Sequence, residues 1–386
     1  TVLIAAAVAM TWPISWDSTN AAGHEEEEEL EEDVDMLIAL ASLPVTRAFN
    51  YAARRDFRMD FDRLFSLFHS PGDDPAMNPS IALNGRVSFR FPDLPRLMTA
   101  LRIPDSFTTR SRYRVAGQEG LVALLWRFAY PVRLADMSRD FGRGPCVLSE
   151  IVAYMVQHIF STFEHLRDVR SVCAHAGRFA EYAAAIHAKG SPLRHIFGFV
   201  DGHLQEVARP GRFQNMLFSG HRWVHALKWQ GIMFPNGIQP FPFGPICGSN
   251  HDGFMLRASR LLPRLHTLMQ QLGRIYALYG DLAYPHDPVL IRPFLYPALN
   301  SPEANMNAAM SGLRIAVEWG FAQQAALWPW LDHTRNMQIL LSPIGLYFPV
   351  ANILTNCYTC LYGSQTGDYF GVLPPSLEEY TSGVAL

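Results

Sequence analysis

The sequence predicts an α/β fold in which a mixed sheet flanked by helices follows a helical region. Two observations lead to this prediction. Up to about residue 192, apolar residues recur at helical spacing. From residue 193 onward, runs of strand character are separated by proline and glycine turns and by longer helical segments. With 386 residues and 49% hydrophobic content, the chain can bury a large core and can contain more than one domain.

Composition divides the chain into four predicted segments. Residues 1–80 form an acidic leader, partly disordered or helical, with 14 acidic residues against 5 arginines between 21 and 80. Residues 81–192 form a helical region, and the basic residues outnumber the acidic ones 16 to 9 over 81–200. An α/β domain follows over 193–371, and 372–386 is expected to be a flexible tail. This charge asymmetry makes nucleic acid a candidate partner.

The first ten residues are apolar but too short to span a bilayer. They resemble the apolar part of a signal peptide without its basic start, and the first residue is not Met. We therefore expect no membrane partner, and a fragmentary or mis-predicted start rather than a secretory signal.

Three helices are predicted in the basic region, at 117–128, 134–141 and 146–163, with a glycine turn before the last. This pattern is typical of a helix-turn-helix, although a helical bundle with a solvated arginine face fits it equally well. The candidate contacts to DNA phosphates are Arg110, Arg112, Arg114, Arg139 and Arg143.

The order of elements after residue 193 is strand, strand, strand, helix, strand, helix. The predicted strands are 195–200, 223–234, 238–246 and 274–279, and the predicted helices are 251–272 and 303–326. A Pro-Asn-Gly turn at 235–237 joins the second and third strands, and a proline-rich loop at 284–302 precedes the last helix. This order is the start of a ribonuclease H-like layout.

Four acids are expected at the ends of these elements or, for Glu318, within the last helix. Asp201 and Asp281 end the first and fourth strands, which are neighbours in this layout, so their side chains should lie side by side. Asp252 opens the first helix. Hard divalent ions prefer carboxylate ligands, and two such ions can promote cleavage of a phosphodiester bond. The acids therefore form a candidate metal site.

Each candidate residue also has a structural alternative. Asp252 can serve as a helix N-cap, Asp281 as a turn residue and Glu318 as an ordinary surface glutamate. Three residues on or just before the second strand are candidate DNA contacts, and for each histidine a structural role is at least as consistent with the sequence. They are His221, Arg222 and His225.

Five short strings occur in order along the second half of the chain. They are Phe199-Val-Asp-Gly202, Ser219-Gly-His-Arg-Trp-Val-His225, Gly248-Ser-Asn-His-Asp252, Tyr279-Gly-Asp-Leu-Ala-Tyr-Pro285 and Arg314-Ile-Ala-Val-Glu-Trp-Gly-Phe321. Together they resemble the DDE endonuclease domain of PIF/Harbinger-superfamily transposases over about 193–361.

The resemblance implies a ribonuclease H-like nuclease whose acids coordinate Mg²⁺ or Mn²⁺. Asp201, Asp281 and Glu318 would be the catalytic metal ligands and Asp252 a further metal-linked acid, although Asp252 and Asp281 could exchange roles. The implied reaction is hydrolysis of DNA at element ends, followed by strand transfer. DNA, a Myb-like DNA-binding protein and a second copy of the chain are the expected partners, and the nucleus is the expected location.

One residue departs from the family pattern. Where the family usually has Asp-Gly-Thr, this chain has Asp-Gly-His, with His203 next to the expected metal ligand. This departure, together with the acidic leader, motivates an alternative function: a domesticated, non-catalytic module that retains the fold and binds DNA or protein.

Overall fold

The computed structural model describes residues 87–339 and 341–383. The predicted acidic leader lies outside these residues. The helices are α1 Leu94–Ala100, α2 Gly117–Ala129, α3 Leu134–Phe141, α4 Pro145–Thr162, α5 Arg170–Cys173, α6 Phe179–Ala188, α7 Gln214–Leu217, α8 Asp252–Ala258, α9 Leu261–Leu272, α10 Pro302–Leu327, α11 Ile344–Tyr362, α12 Gln365–Phe370 and α13 Leu377–Ser382. In the described ranges, no helix has the length and apolar character needed to cross a membrane.

The strands are β1 Ser106–Thr108, β2 Arg114–Ala116, β3 Ile196–Glu206, β4 Phe218–Ser219, β5 Val224–Met233, β6 Phe243–Cys247, β7 Ala277–Tyr279 and β8 Leu290–Ile291. Strand β3 is central to the main sheet, with β5 antiparallel on one side and β7 parallel on the other. Strands β4 and β6 pair with β5, and β8 pairs parallel with β7. The mixed sheet flanked by helices is confirmed, and it is consistent with a ribonuclease H-like fold.

Strand β3 is longer than predicted. The sequence pattern ends it at Val200, whereas the strand continues to Glu206 because β5 pairs with it along this whole length. Asp201 lies opposite Gly231, in the middle of the strand. The prediction that Asp201 ends the strand was therefore wrong.

Three further elements differ from the prediction. The helix expected over 251–272 is two helices, because Arg260 adopts a left-handed backbone conformation with φ 51° between them. The third strand begins at Phe243 rather than near 238. The proline-rich loop contains β8, whose two residues are too few to give a sequence pattern and are strand only because they pair with β7.

The helices predicted in the basic region are present as α2, α3 and α4. Gly142, with φ 60°, ends α3 and allows the sharp turn into α4. The predicted apolar face of α4 is buried; it consists of Leu148, Ile151, Val152, Met155, Ile159 and the following Phe163. The use of α3 and α4 as a DNA-binding helix-turn-helix stays a prediction.

Two hydrophobic cores hold the described residues together. One joins α2, α3 and α4 to α11, and the other lies between the main sheet and the helices α6, α9 and α10. Leu377 and Tyr380 of α13 are buried in the first core. Residues 377–382 are therefore a packed helix, not part of the flexible tail that the sequence predicts for 372–386.

Helix α10 packs very closely on β5. A Cβ atom on Gly231 would come within 2.7 Å of the Phe321 ring, so only glycine allows this approach. Because Gly231 lies opposite Asp201, the helix passes over the centre of the sheet. This packing places Arg314 and Glu318, both on α10, near Asp201.

Candidate active site

Asp201 lies on β3, and Asp281 lies two residues after the end of the adjacent strand β7. Phe199 of β3 pairs with Tyr279 of β7, and each acid comes two residues after one of these partners. Burial raises the pKa of Asp201, and the negative charge of Asp281 raises it further. The pKa of Asp281 is also raised, mainly by burial. Two half-buried carboxylates thus share a small region at the sheet.

Arg314 connects Asp201 to Glu318. Its Nη1 atom lies 2.5 Å from Asp201 Oδ2, and its Nη2 atom lies 3.1 Å from Glu318 Oε1. The Arg314 and Asp201 side chains are only 22% and 19% exposed. The arginine charge lowers the pKa of Asp201 and so opposes the effect of burial. Arg314 is therefore the counter-charge of this site.

Asp252 is paired with Lys228 and does not cap a helix. It is the first residue of α8, and His251 occupies the N-cap position. Asp252 Oδ1 lies 3.3 Å from Lys228 Nζ, which also donates a 2.6 Å hydrogen bond to the Asn250 carbonyl. The N-cap alternative is thus not observed. Asp281 does make a turn contact, since its Oδ1 accepts a 2.9 Å hydrogen bond from the Ala283 amide.

Gly202 lets Asp252 approach β3 on the face opposite to the Asp201 side chain, because successive side chains of a strand point to opposite faces. A Cβ atom on Gly202 would lie 3.0 Å from Asp252 Oδ1, so the carboxylate rests against the backbone of the residue that follows Asp201. The missing side chain at this position leaves room for the Asp252 carboxylate beside β3. The glycine after Asp201 therefore has a spatial role.

Buried polar groups lie beside the acids. Gln230, opposite Gly202 in the sheet, is fully buried, and its carboxamide faces the buried hydroxyl of Tyr284, whose pKa it lowers through a hydrogen bond. The Tyr279 hydroxyl has no hydrogen-bond partner within the described residues. Burial raises the pKa of Tyr284 well above its usual value, and the charges of the nearby acids Asp201, Asp252 and Asp281 add to this. Such groups are costly unless a water or bound group satisfies them.

The donor chemistry of this region fits a hard divalent cation. Carboxylates supply the oxygen ligands that Mg²⁺ and Mn²⁺ prefer, and the Tyr279 hydroxyl, unpartnered within the described residues, is a further polar atom nearby. Within 87–339 and 341–383, however, no three His, Cys, Asp or Glu side chains are close enough to hold one ion. Arg314 and Lys228 neutralise the acids instead. A metal that bound Asp201 would compete with Arg314.

His203 has a packing role. It lies on the same face of β3 as Asp201, and its ring stacks on Phe321 and Phe348 with centroid distances of 4.8 and 5.1 Å. Burial lowers the pKa of its imidazole to about 4, so His203 is neutral at neutral pH. The residue that departs from the family pattern is thus held in an aromatic stack.

The predicted DNA contacts fall in three places. Arg110, Arg112 and Arg114 are exposed in the β1–β2 hairpin, and Arg139 is exposed on α3. Arg143 differs, because its Nε atom lies 2.8 Å from Glu119 Oε1 and its side chain is only 16% exposed. His221 and Arg222 are exposed in the turn before β5. His225 packs edge-on against Phe218 at 5.5 Å.

Sequence reasoning missed Arg314, Lys228 and Gln230. Arg314 stands four residues before Glu318 on one helix, a spacing that predicts an ion pair. Lys228 is one of only two lysines in the chain. Gln230 has no sequence signal, because its burial depends on the register of β5 against β3.

A mixed sheet that carries acids on adjacent strands, with a further acid on a helix packed above them, is typical of nucleases that use carboxylates to bind metal. Residues 200–356 match the family described as DDE superfamily endonuclease. The match includes all four candidate acids and supports a transposase-derived nuclease domain in this part of the chain. A nuclease domain implies DNA as substrate, and this superfamily typically uses divalent metals. Comparisons with curated proteins and with solved structures gave no match.

Proposed function

We propose that the chain is a metal-dependent DNA endonuclease of the Harbinger transposase type, which cleaves phosphodiester bonds at element ends and transfers strands. The observation that carries this proposal is that Arg314 bridges Asp201 and Glu318 and that Asp281 lies close enough for its charge to raise the pKa of Asp201, within the range that matches the DDE endonuclease family. The five sequence strings named above support the Harbinger type.

Each acid has a role in this proposal. Asp201, Asp281 and Glu318 would hold the divalent ions, and Lys228 fixes the position of Asp252 as a further acid. Such ions would supply an activated water and neutralise the charge on the leaving oxygen. The Arg314 guanidinium beside Asp201 would pair with a DNA phosphate. Tight packing of α10 on β5 keeps Glu318 in place relative to the sheet.

The proposed partners follow from this activity. Exposed arginines on the β1–β2 hairpin and α3 are the proposed phosphate contacts of the helical region. A Myb-like DNA-binding protein is the proposed partner for recognition of element ends. Assembly with a second copy and location in the nucleus complete the proposal, because both ends of an element have to be cut on nuclear DNA.

The test is nicking of supercoiled plasmid in Mg²⁺ or Mn²⁺ by the wild-type chain and by Asp201→Asn and Glu318→Gln. We expect both variants to lose about 100-fold or more of the rate, since even outer-shell partners of a metal contribute 10–100-fold. Glu303→Gln, in the exposed first turn of the same helix as Glu318, is the matched control and should cut at the wild-type rate. Equal cleavage by the wild type and both variants would falsify the catalytic assignment.

A non-catalytic module that retains the fold is the second candidate. The observation that favours it is that Arg314 and Lys228 already neutralise Asp201, Glu318 and Asp252 without a metal. Titration with Mg²⁺ or Mn²⁺ separates the two candidates. A ligand at 100 times its dissociation constant stabilises the folded state by about 2.7 kcal/mol, so a metal-binding site gives a clear rise in melting temperature. DNA binding without any such rise would support the non-catalytic function.

A further inference from the structure

We propose that the turn between β4 and β5, Gly220 to Trp223, binds unpaired DNA and that Trp223 stacks on one of its bases. This inference rests on the proposed DNA substrate. It extends the proposed function in two ways. It assigns a DNA-binding surface outside the acidic site, and it specifies the form of DNA that this surface recognises.

Trp223 combines a large solvent-exposed side chain with an unfavourable backbone conformation. The residue is 79% exposed, whereas Trp126, Trp229 and Trp328 are at most 1% exposed. Its backbone has φ 59°, a left-handed conformation that is unfavourable for a residue with a bulky side chain. A large aromatic residue held in a strained turn and in contact with solvent points to a binding role rather than to packing.

The indole ring is restrained although it is exposed. It lies edge-on to Phe218, with ring centroids 6.2 Å apart at an angle of 81°, and Phe218 in turn packs against His225. The Trp223 amide donates a 2.8 Å hydrogen bond to the Ser219 carbonyl, which closes the turn. A ring that is already positioned loses less conformational freedom when a base stacks on it.

The charge around this turn is complementary to DNA. Between Glu206 and Asp252 the sequence contains no aspartate or glutamate, but it contains Arg209, Arg212 and Arg222. Arg212, His221 and Arg222 are exposed. A cationic surface that carries an exposed aromatic side chain is the combination that binds single strands, because phosphates pair with the cations and bases stack on the ring.

The distance from the acidic site allows one DNA molecule to reach both places. Gly231 lies opposite Asp201, and Trp223 precedes Gly231 by eight positions on the same strand and turn. At about 3.3 Å per residue, the separation is about 26 Å. This corresponds to about seven or eight nucleotides of stacked DNA at about 3.4 Å each. Every base of a single strand offers a free face to the indole, whereas a duplex offers one only at its two terminal pairs, so the unpaired form is preferred.

The experiment measures binding of the full chain, in EDTA so that no cleavage occurs, to a fluorescent single-stranded oligonucleotide and to a blunt duplex. We expect Trp223→Ala to weaken single-strand binding by about five- to 150-fold and duplex binding much less, because stacking is lost. Trp223→Phe should retain most of the affinity. Arg222→Gln should reduce the slope of log K against log salt by about one. The matched control is Tyr296→Ala, which removes an aromatic residue that is 92% exposed with φ 48° and should change nothing.

Three outcomes would overturn the inference. Equal single-strand affinity for wild type and Trp223→Ala, with equal melting temperatures, contradicts it and leaves the nuclease function standing. Unchanged DNA affinity together with altered self-association assigns the turn to a protein interface. A wild-type chain that binds neither DNA contradicts the proposed function as well. If Trp223→Ala does not fold, Trp223→Phe and Arg222→Gln still test the surface through affinity and salt slope.

Discussion

At the scale of single residues, Arg314 controls the charge balance of the acidic site. It contacts Asp201 and Glu318 and is mostly buried, so its removal leaves the half-buried Asp201 carboxylate without a counter-charge. Breaking one side of a buried ion pair is costly because the remaining charge stays desolvated. The same arginine occupies Oδ2, one of the two Asp201 oxygens available to a metal ion. Arg314 therefore stabilises the metal-free chain and at the same time lowers its affinity for a metal ion.

We expect Arg314→Gln to destabilise the metal-free chain by about 1–3 kcal/mol and to bind Mn²⁺ more tightly than the wild type. Denaturant unfolding measures the first effect, and the Mn²⁺ midpoint of the thermal shift measures the second. Arg264→Gln, which breaks an exposed pair with Asp168, is the control and should change neither by much. An unaltered Mn²⁺ midpoint would show that Arg314 does not compete with the metal.

His203 makes the stability of the fold depend on pH. Its pKa is about 4 in the folded chain and about 6.5 when unfolded, so below pH 6.5 the unfolded state binds more protons. Stability therefore falls as the pH drops from about 6.5 towards 4, by about 2 kcal/mol at pH 5. We expect His203→Phe, which keeps the aromatic stack, to lose this part of the pH dependence. The measurement is urea unfolding at pH 7.5 and pH 5; an identical pH difference in both proteins would contradict it.

At the scale of elements, the contact between α10 and β5 places Glu318 over the sheet. Substitutions at two glycines, Gly231 and Gly312, distinguish the effect of this contact on stability from the effect of helix propensity. Gly231 faces the Phe321 ring, whereas nothing lies within 4 Å of the position that a Cβ on Gly312 would take. The same substitution to alanine should therefore have opposite effects at the two sites.

We expect Gly231→Ala to destabilise the chain by about 1–3 kcal/mol, because α10 has to move away from the sheet. Gly312→Ala should stabilise it by about 0.5–1 kcal/mol, because alanine is the better helix former at an exposed position. Denaturant unfolding of both variants checks the pair. Equal effects at the two positions would mean that the close approach of α10 is not required for stability.

At the scale of the whole molecule, the C-terminal helix closes the first hydrophobic core. Leu377 is fully buried, and the Tyr380 hydroxyl accepts a 3.0 Å hydrogen bond from the Asn356 carboxamide on α11. A bidentate pair between Arg96 and Glu378 joins α13 to α1. The last described residues therefore tie the helical region to the helix that follows the site.

We expect Leu377→Ala to cost about 2–5 kcal/mol, the usual range for a buried leucine. Leu373→Ala is the matched control within the same predicted tail. Leu373 is 80% exposed, so its loss should change stability by less than about 0.5 kcal/mol. Thermal or urea unfolding distinguishes the two, and equal values would contradict the packing of α13.

The sequence by itself determined the class of fold, the order of most elements and the identity of the acids. Apolar periodicity and turn residues are local, so α2, α3, α4, β5 and α10 could be located from them. The adjacency of Asp201 and Asp281 also followed, because the layout makes the first and fourth strands neighbours.

Only the tertiary structure decided what the acids contact. The length of β3 depends on its pairing with β5, and β8 is a strand only because β7 lies beside it. Arg314 and Lys228 meet the acids through helix packing and strand register, which join residues far apart in the chain. Side-chain contacts of this kind carry no periodic signal. The charge balance of the site and the exposure of Trp223 therefore had to come from the folded chain.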